Sequence, residues 1–214
     1  MMYLGIDEAG RGCIIGSMFV VGVVCNSETL TKLKNLGVKD SKMLTRNQRR
    51  KLFNIITRII PKYYVVEVSP REIDSVNLNI LVYNAITKII SQATREFNIE
   101  KVFIDQVGVK EKLLHIVRST GFKGGVIVES KADRRYVVVS AASIIAKVLR
   151  DNHIEELKKL YGDIGSGYPS DYKTVNWLKE YYRMYGTLPD IVRRTWSTLK
   201  NIAPTEYRVK RKWG

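Results

Sequence analysis

The chain has 214 residues, with 36 Lys and Arg against 21 Asp and Glu, so its formal net charge at pH 7 is +15. This length suits one domain, or one domain with an appended subdomain. The apolar run from Ile14 to Cys25 is too short, and too interrupted by glycine, to span a membrane. No basic leader comes before the first predicted strand, and the two cysteines lack zinc-type spacing. We therefore expect a cytoplasmic protein with no membrane partner.

The excess of positive charge favours a polyanionic partner. Nucleic acid comes before membrane, because no basic amphipathic helix stands out. The alternative is a soluble protein that is merely basic, so charge alone does not decide between the two.

Five short apolar segments predict the strands of a sheet. Each is rich in β-branched or aromatic residues and is bounded by turn residues. The predicted strands cover residues 3–6, 19–24, 63–68, 101–105 and 126–128. Loop is predicted between the second strand and Thr45.

Capping residues and apolar spacing predict the helices. Thr45 and Gln48 form a capping-box pattern, as do Ser69 and Glu72, where Pro70 takes the first helical position. Other segments show helical apolar spacing. The predicted helices cover residues 46–59, 79–97, 109–119, 136–150, 153–160 and 171–185, the last capped by Ser170, and another begins at residue 70. Residues 137–139, taken alone, could instead form a strand.

This order of elements indicates an α/β fold with a mixed sheet flanked by helices. Residues 1–165 are predicted to form the core. Residues 166–214 are predicted to form a C-terminal helical segment with a basic tail.

Three aspartates stand where predicted strands end. Asp7 closes the first strand, Asp105 closes the fourth, and Asp133 follows shortly after the fifth. In open α/β sheets, ligands gather outside the carboxyl ends of the strands. Carboxylates delivered there can form a hard-oxygen site suited to Mg²⁺ or Mn²⁺. Zinc is disfavoured because no cluster of His and Cys accompanies them.

Each acid also has a purely structural interpretation. Asp133 could be the N-cap of the helix that begins near Tyr136, and Asp105 could begin a turn. Glu8 raises a further question, because adjacent strand residues point to opposite faces. Asp7 and Glu8 can share a metal only if the strand has already ended, or if Glu8 contributes its backbone carbonyl.

A basic protein with several converging acids indicates two-metal phosphodiester chemistry. In such sites two ions about 4 Å apart hold the attacking water and the leaving oxygen. Glycines on either side of Arg11 allow a tight turn and a close backbone approach to a ligand. They predict a reader of phosphate or sugar next to Asp7 and Glu8 in the sequence.

Five segments, in order, resemble one enzyme family. They are Asp7-Glu8-Ala9-Gly10-Arg11-Gly12, Asp40-Ser41-Lys42, Ile104-Asp105, Lys131-Ala132-Asp133 and the run from Ser140 to Lys147. Together they resemble ribonuclease HII, the type 2 ribonuclease H, in its archaeal form, over nearly the whole chain. The resemblance implies a ribonuclease H-like sheet with a C-terminal helical segment.

The resemblance also implies an activity, which is endonucleolytic cleavage of RNA in RNA–DNA hybrids and of single ribonucleotides in duplex DNA. The products would carry 3′-hydroxyl and 5′-phosphate ends. By matching position, the catalytic and metal-binding acids are Asp7, Glu8, Asp105 and Asp133. The implied cofactor is Mg²⁺ or Mn²⁺, with two ions during catalysis. The implied partners are RNA–DNA hybrid and ribonucleotide-containing duplex DNA, bound by a monomer.

Matching positions imply the substrate-binding residues as well. Gly10, Arg11 and Gly12 match the family's reader of the ribonucleotide 2′-hydroxyl, the group that distinguishes RNA from DNA. Lys42 would contact a phosphate near the cut. Tyr168 matches the tyrosine that stacks on the deoxyribose at the RNA-to-DNA junction; its alternative is a loop aromatic packed on the helical segment.

Further basic residues lie near Trp196. Arg193, Arg194 and Lys200 are predicted to hold the duplex backbone, and a solvated basic face is the alternative.

One position departs from the family pattern. Proline usually follows Gly-Arg-Gly, where this chain has Cys13. The change loosens the φ restraint but removes no donor, so we expect activity to survive. No Gln-led motif with paired aromatics ends the chain, so binding to a sliding clamp is not predicted.

Two other functions remain open on the sequence. Another nuclease of the ribonuclease H fold, such as a junction resolvase, would act on all-DNA substrates. A noncatalytic RNA-binding protein would need the basic surface but not the acids.

Overall fold

The structure is a computed structural model and describes residues 1–38 and 44–209. The chain divides into two compact units, each assembled from separate stretches of sequence. Unit 1 comprises residues 1–9, 19–66 and 82–149, and unit 2 comprises residues 10–18, 67–81 and 150–214. The predicted division at residue 165 would place segments 10–18 and 67–81 in the core, whereas both segments belong to unit 2. Whether residues 1–165 fold as an independent core stays a prediction.

The five predicted strands are confirmed and form one mixed sheet. They are β1 (Met2–Ala9), β2 (Met18–Asn26), β3 (Lys62–Val68), β4 (Ile99–Asp105) and β5 (Gly125–Glu129), in the spatial order β3-β2-β1-β4-β5. Strand β1 runs antiparallel to β2 and parallel to β4, and β4 runs parallel to β5. The carboxyl ends of β1, β4 and β5 therefore meet at one edge of the sheet.

The described residues contain nine helices. They are α1 (Ser27–Asn35), α2 (Arg46–Ile59), α3 (Pro70–Ser75), α4 (Leu78–Glu96), α5 (Lys110–Ser119), α6 (Ala132–Arg135), α7 (Val137–Tyr161), α8 (Tyr172–Tyr185) and α9 (Leu199–Ile202). The capping boxes predicted at Thr45 and Ser69 are confirmed. No helix in this part of the chain combines the length and apolarity that a membrane crossing requires.

Three helical predictions differ from the structure. Helix α1 lies where a loop was predicted; Asn26 caps it by accepting a hydrogen bond from the Thr29 N–H at 2.8 Å. Helix α7 is continuous where two helices were predicted, because the polar residues 150–152 continue it without a break. Asp171, rather than Ser170, caps α8 by accepting from the Lys173 N–H.

Helices cover both faces of the sheet closely. A Cβ on Gly5 would lie 2.5 Å from the backbone carbonyl carbon of Val138 in α7, and a Cβ on Gly22 would lie 2.3 Å from a methyl carbon of Ile89 in α4. Both distances are far shorter than van der Waals contact. Glycine at these positions therefore lets α7 and α4 approach the strands.

Unit 2 has its own apolar core. Ile14 and Ile15 pack there with residues of α8, the second half of α7 and the segment 188–203. Ile15 also forms an antiparallel bridge with Val192. The segment 10–18 is therefore held within unit 2 by both packing and backbone hydrogen bonds.

Candidate active site

Asp7 lies near the end of β1, on the face that α7 covers. Gly5 faces Val138 of α7, and strand residues two apart point the same way. Asp7 is 7% exposed, and its Oδ1 accepts a hydrogen bond from the backbone N–H of Glu8 at 2.8 Å. A carboxylate buried this deeply needs a positive partner or a proton.

Asp105 and Asp133 reach the same edge from β4 and from the turn after β5. Asp105 ends β4, and its Oδ1 accepts from the backbone N–H of Ala132 at 2.6 Å. Asp133 is buried within α6, and its backbone carbonyl accepts from the Ser140 hydroxyl. Among the described non-glycine residues only Lys131 has a positive φ, 58°; it makes the turn that leads into α6.

The positions of Asp133 and Asp105 do not match their purely structural alternatives. Asp133 is not the N-cap of the helix after Tyr136, because it lies inside α6 and α7 begins only at Val137. Asp105 is the last strand residue and binds a backbone amide 27 positions away, so it does more than begin a local turn.

Burial and the two other aspartates together perturb Asp7. The pKa of Asp7 is raised from its ordinary 3.8 to about 7, first by burial, then by the charge of Asp105 and more weakly by that of Asp133. The hydrogen bond from the Glu8 amide favours the ionised form and opposes this rise. Asp105 and Asp133 are thus the charged groups that raise the pKa of Asp7, and we refer to these three acids as the carboxylate cluster.

Glu8 is expected to face the opposite side of the sheet from Asp7. Strand β1 continues through Ala9, and Glu8 pairs with Val20 of β2. The strand has therefore not ended before Glu8, and alternation directs its side chain to the opposite face from Asp7.

The carboxylate cluster fits a metal in its chemistry. No three His, Cys, Asp or Glu side chains in residues 1–38 and 44–209 stand as a group that could hold a metal ion. The donors present are nevertheless the hard oxygens that Mg²⁺ and Mn²⁺ prefer. A divalent cation would also offset the burial and the neighbouring charges that raise the pKa of Asp7. The metal-binding roles of Asp7, Glu8, Asp105 and Asp133 stay predictions.

The Gly10-Arg11-Gly12 turn belongs to unit 2. Gly10 has a φ of +95°, and a Cβ there would lie 2.9 Å from a backbone carbonyl oxygen, so glycine is required. The Cys13 N–H donates to the Gly10 carbonyl, and Nη2 of Arg11 donates to Oδ1 of Asn79 at 2.8 Å. Gly12 is exposed, and its amide has no acceptor among the described residues. An outside group can therefore accept a hydrogen bond from it.

Tyr168 lies over a buried arginine within unit 2. The guanidinium carbon of Arg150 is 4.5 Å from the centre of the Tyr168 ring, and Arg150 is 6% exposed. Nη2 of Arg150 also donates to Cys13 Sγ at 3.3 Å and to the Ser166 carbonyl. Arg150 thus holds the Tyr168 ring and Cys13 together. No role for Arg150 follows from the sequence patterns considered above; the signal in the sequence is a cation at the end of a run of mostly small and apolar residues.

The structure bears differently on each of the other basic residues predicted to contact nucleic acid. The prediction that Arg193 holds the duplex backbone is wrong, because its side chain is fully buried. The Arg194 side chain is 12% exposed, donates to the Leu188 carbonyl at 2.7 Å and pairs with Glu206 at 3.1 Å, so its contacts lie within unit 2 and we do not count it among the duplex contacts. Lys200 is exposed, and its predicted role is unchanged. Lys42 lies outside the described residues.

The sequence matches one family along nearly its whole length. Residues 4–199 match the family model described as Ribonuclease HII. The chain is 51% identical over 213 residues to ribonuclease HII of Sulfurisphaera tokodaii, covering 100% of both chains. It is 50% identical over 206 residues to ribonuclease HII of Saccharolobus solfataricus, covering 96% of both.

The fold matches solved structures as well. Ribonuclease H2 from Pyrococcus horikoshii OT3 has a TM-score of 0.89 and 42% identity, covering 96% of this chain and 99% of that one. Ribonuclease HII from Archaeoglobus fulgidus, solved as a complex with PCNA, has a TM-score of 0.83 and 39% identity, covering 94% and 96%. The predicted ribonuclease H-like fold is therefore confirmed. The chain belongs to the ribonuclease HII family, and it is an endonuclease that acts on the RNA of RNA–DNA hybrids.

Proposed function

We propose that this endonuclease also cuts at single ribonucleotides embedded in duplex DNA, by two-metal-ion hydrolysis that leaves 3′-hydroxyl and 5′-phosphate ends. The observation that carries this proposal is the placement of acids at the carboxyl ends of the parallel strands β1 and β4 and shortly after β5, where burial, and then the charges of Asp105 and Asp133, raise the pKa of Asp7 to about 7. In two-metal phosphodiester hydrolysis the protein holds the cations through such carboxylates, and a bound cation favours their ionised form.

Asp7, Asp105 and Asp133 would hold Mg²⁺ or Mn²⁺ through their carboxylates. When bound, two such ions would stabilise the attacking and leaving oxygens of an in-line displacement. The Ala132 amide holds one oxygen of Asp105 at 2.6 Å, which fixes the position of that carboxylate. The direction of the Glu8 side chain favours participation through its backbone carbonyl.

The Gly10-Arg11-Gly12 turn would recognise the ribose 2′-hydroxyl. This hydroxyl both donates and accepts hydrogen bonds, and it is what separates RNA from DNA at a given site. The exposed Gly12 amide supplies a donor, and the absence of a side chain there lets the sugar approach the backbone. Asn79 holds the Arg11 side chain, which limits its movement.

Tyr168 would stack on the deoxyribose at the RNA-to-DNA junction. Arg150 lies over the ring and restricts its rotation through a cation–π contact. Tyr168 is 36% exposed, so part of the ring is open to a sugar.

Basic side chains would bind the phosphates of the rest of the duplex, as the net charge of +15 favours. Lys42 and Lys200 would be among these contacts. Since the Archaeoglobus fulgidus relative was solved in a complex with PCNA, a sliding clamp is a candidate partner here too, although the sequence does not predict one. A monomer remains the expected state.

Cleavage of three end-labelled substrates tests the proposal. They are a DNA duplex with one ribonucleotide, an RNA–DNA hybrid and an all-DNA four-way junction, each with Mg²⁺ or Mn²⁺. We expect a single cut on the 5′ side of the ribonucleotide, cutting of the hybrid, and no cutting of the junction. Cutting of the junction alone would instead favour a resolvase. Tight binding without any cutting would favour a noncatalytic binder.

A further inference from the structure

We propose that Arg193 is a positioning residue for the Gly10-Arg11-Gly12 turn, which it orients by holding the backbone carbonyls of segment 11–16. The consequence is selectivity for ribonucleotides over deoxyribonucleotides. This inference rests on the proposed role of the turn in reading the 2′-hydroxyl.

Three hydrogen bonds join Arg193 to this segment. Its Nε donates to the Gly16 carbonyl at 2.9 Å, and its Nη1 donates to the Arg11 carbonyl at 3.1 Å. Its backbone N–H donates to the Ile14 carbonyl at 2.8 Å. All three acceptors are main-chain oxygens, so the contacts fix the path of the backbone directly.

Trp196 adds a fourth contact. Its Nε1 donates to the Gly12 carbonyl at 3.3 Å, and the guanidinium carbon of Arg193 lies 5.0 Å from the centre of its ring. One stacked Arg–Trp pair therefore holds the carbonyls of residues 11, 12, 14 and 16.

These contacts determine where the Gly12 amide points. The Arg11 carbonyl and the Gly12 N–H belong to one planar trans peptide group, so they point in opposite directions. Because the carbonyl is directed at Arg193, the N–H is directed away from the buried guanidinium. Gly12 is exposed and its N–H has no acceptor among the described residues, so this amide is available as a donor to a 2′-hydroxyl.

The charge of Arg193 is not explained by stability alone. The residue is 0% exposed, and within the described residues it forms no ion pair and its Nη2 has no partner. Burial lowers the pKa of Arg193 to about 10. An uncharged side chain would avoid this penalty, whereas arginine offers several donors on one rigid plane and can hold two carbonyls at once.

The test compares Arg193→Gln and Arg193→Lys with a matched control, Arg194→Gln. The control removes the same charge from the neighbouring, largely buried arginine, whose side chain holds Leu188 and Glu206 rather than segment 11–16. Two quantities are measured: affinity for a duplex with one ribonucleotide relative to the matching all-DNA duplex, without metal, and the single-turnover cleavage rate with Mn²⁺. Circular dichroism shows that each variant is folded at the assay temperature.

For Arg193→Gln we expect the affinity ratio to fall towards one and the cleavage rate to fall by about 100-fold, the effect of a misplacement of about 1 Å. Lys should restore only part of the ratio, because its single ammonium cannot hold two carbonyls in a fixed geometry. Arg194→Gln should keep the parent's ratio.

A folded Arg193→Gln with the parent's affinity ratio would overturn the inference. If that variant does not fold, Trp196→Phe removes the donor to Gly12 while keeping an aromatic ring, and an unchanged ratio there would overturn it equally. A parent protein without any preference for the ribonucleotide would instead show that the proposed role of the turn has failed.

Discussion

Replacing Asp7 by Asn is expected to stabilise the metal-free protein at alkaline pH, although it should abolish cleavage. Burial and the neighbouring carboxylates raise the pKa of Asp7 in the folded state from 3.8 to about 7. A group with a raised folded-state pKa favours folding below its unfolded pKa, and that contribution is lost as the pH rises through the folded value. The loss therefore falls between about pH 4 and about pH 7.

The size of the effect follows from the same two values. A rise from 3.8 to about 7, at about 1.4 kcal/mol per pH unit, corresponds to about 4 kcal/mol of unfolding free energy. Because Asp7 is only 7% exposed, solvent screens little of this electrostatic contribution to the unfolding free energy. Asparagine cannot ionise and avoids the penalty. Between pH 4 and pH 8, the stability of Asp7→Asn relative to the parent should increase by up to about 4 kcal/mol.

Urea unfolding in EDTA at pH 4, 6 and 8, followed by circular dichroism, measures this difference. Asp163→Asn is the control, because that exposed carboxyl has its pKa lowered by Lys173 and should gain nothing at high pH. Adding Mg²⁺ at pH 8 should stabilise the parent but not Asp7→Asn. A stability difference that stays constant from pH 4 to pH 8 would refute the reasoning.

Gly5→Ala should lower the unfolding free energy by about 1–3 kcal/mol, because the new Cβ would lie 2.5 Å from the backbone of Val138. Thermal melting should show little change for Gly12→Ala, whose Cβ would meet only Tyr168, at 3.8 Å. Tyr168→Phe should retain most cleavage at an RNA-to-DNA junction and Tyr168→Ala much less, since stacking needs only the ring. Equal losses in a single-turnover assay would assign the role to the hydroxyl.

Features determined by neighbouring residues were predictable from the sequence. The capping boxes at Thr45 and Ser69 are confirmed. They were predictable because each involves residues only three positions apart. The electrostatic interaction of Asp7 with Asp105 was also predictable. The parallel strands β1 and β4 end at the same edge of the sheet, so acids at their carboxyl ends lie near one another. Helix α1 was missed because only two of its residues are buried, which leaves little apolar periodicity.

The buried arginines could not be predicted in the same way. Arg150 contacts Cys13 across 137 positions, and Arg193 contacts Gly16 across 177. Basic residues are mostly exposed, so a surface role for Arg193 was the natural expectation. Their burial follows from the folding of unit 2, in which distant segments supply backbone carbonyls to the guanidinium groups.

The claim that the carboxylate cluster carries metal-dependent cleavage at a ribonucleotide is tested most directly by one measurement. It is the single-turnover cleavage of a DNA duplex with one ribonucleotide, in saturating Mg²⁺ or Mn²⁺, by the parent, Asp7→Asn, Asp105→Asn and Asp133→Asn. We predict cutting by the parent that EDTA abolishes, and no cutting by the three variants although their circular dichroism spectra match that of the parent. Turnover at the parent's rate by any of the three would contradict the assignment of that aspartate.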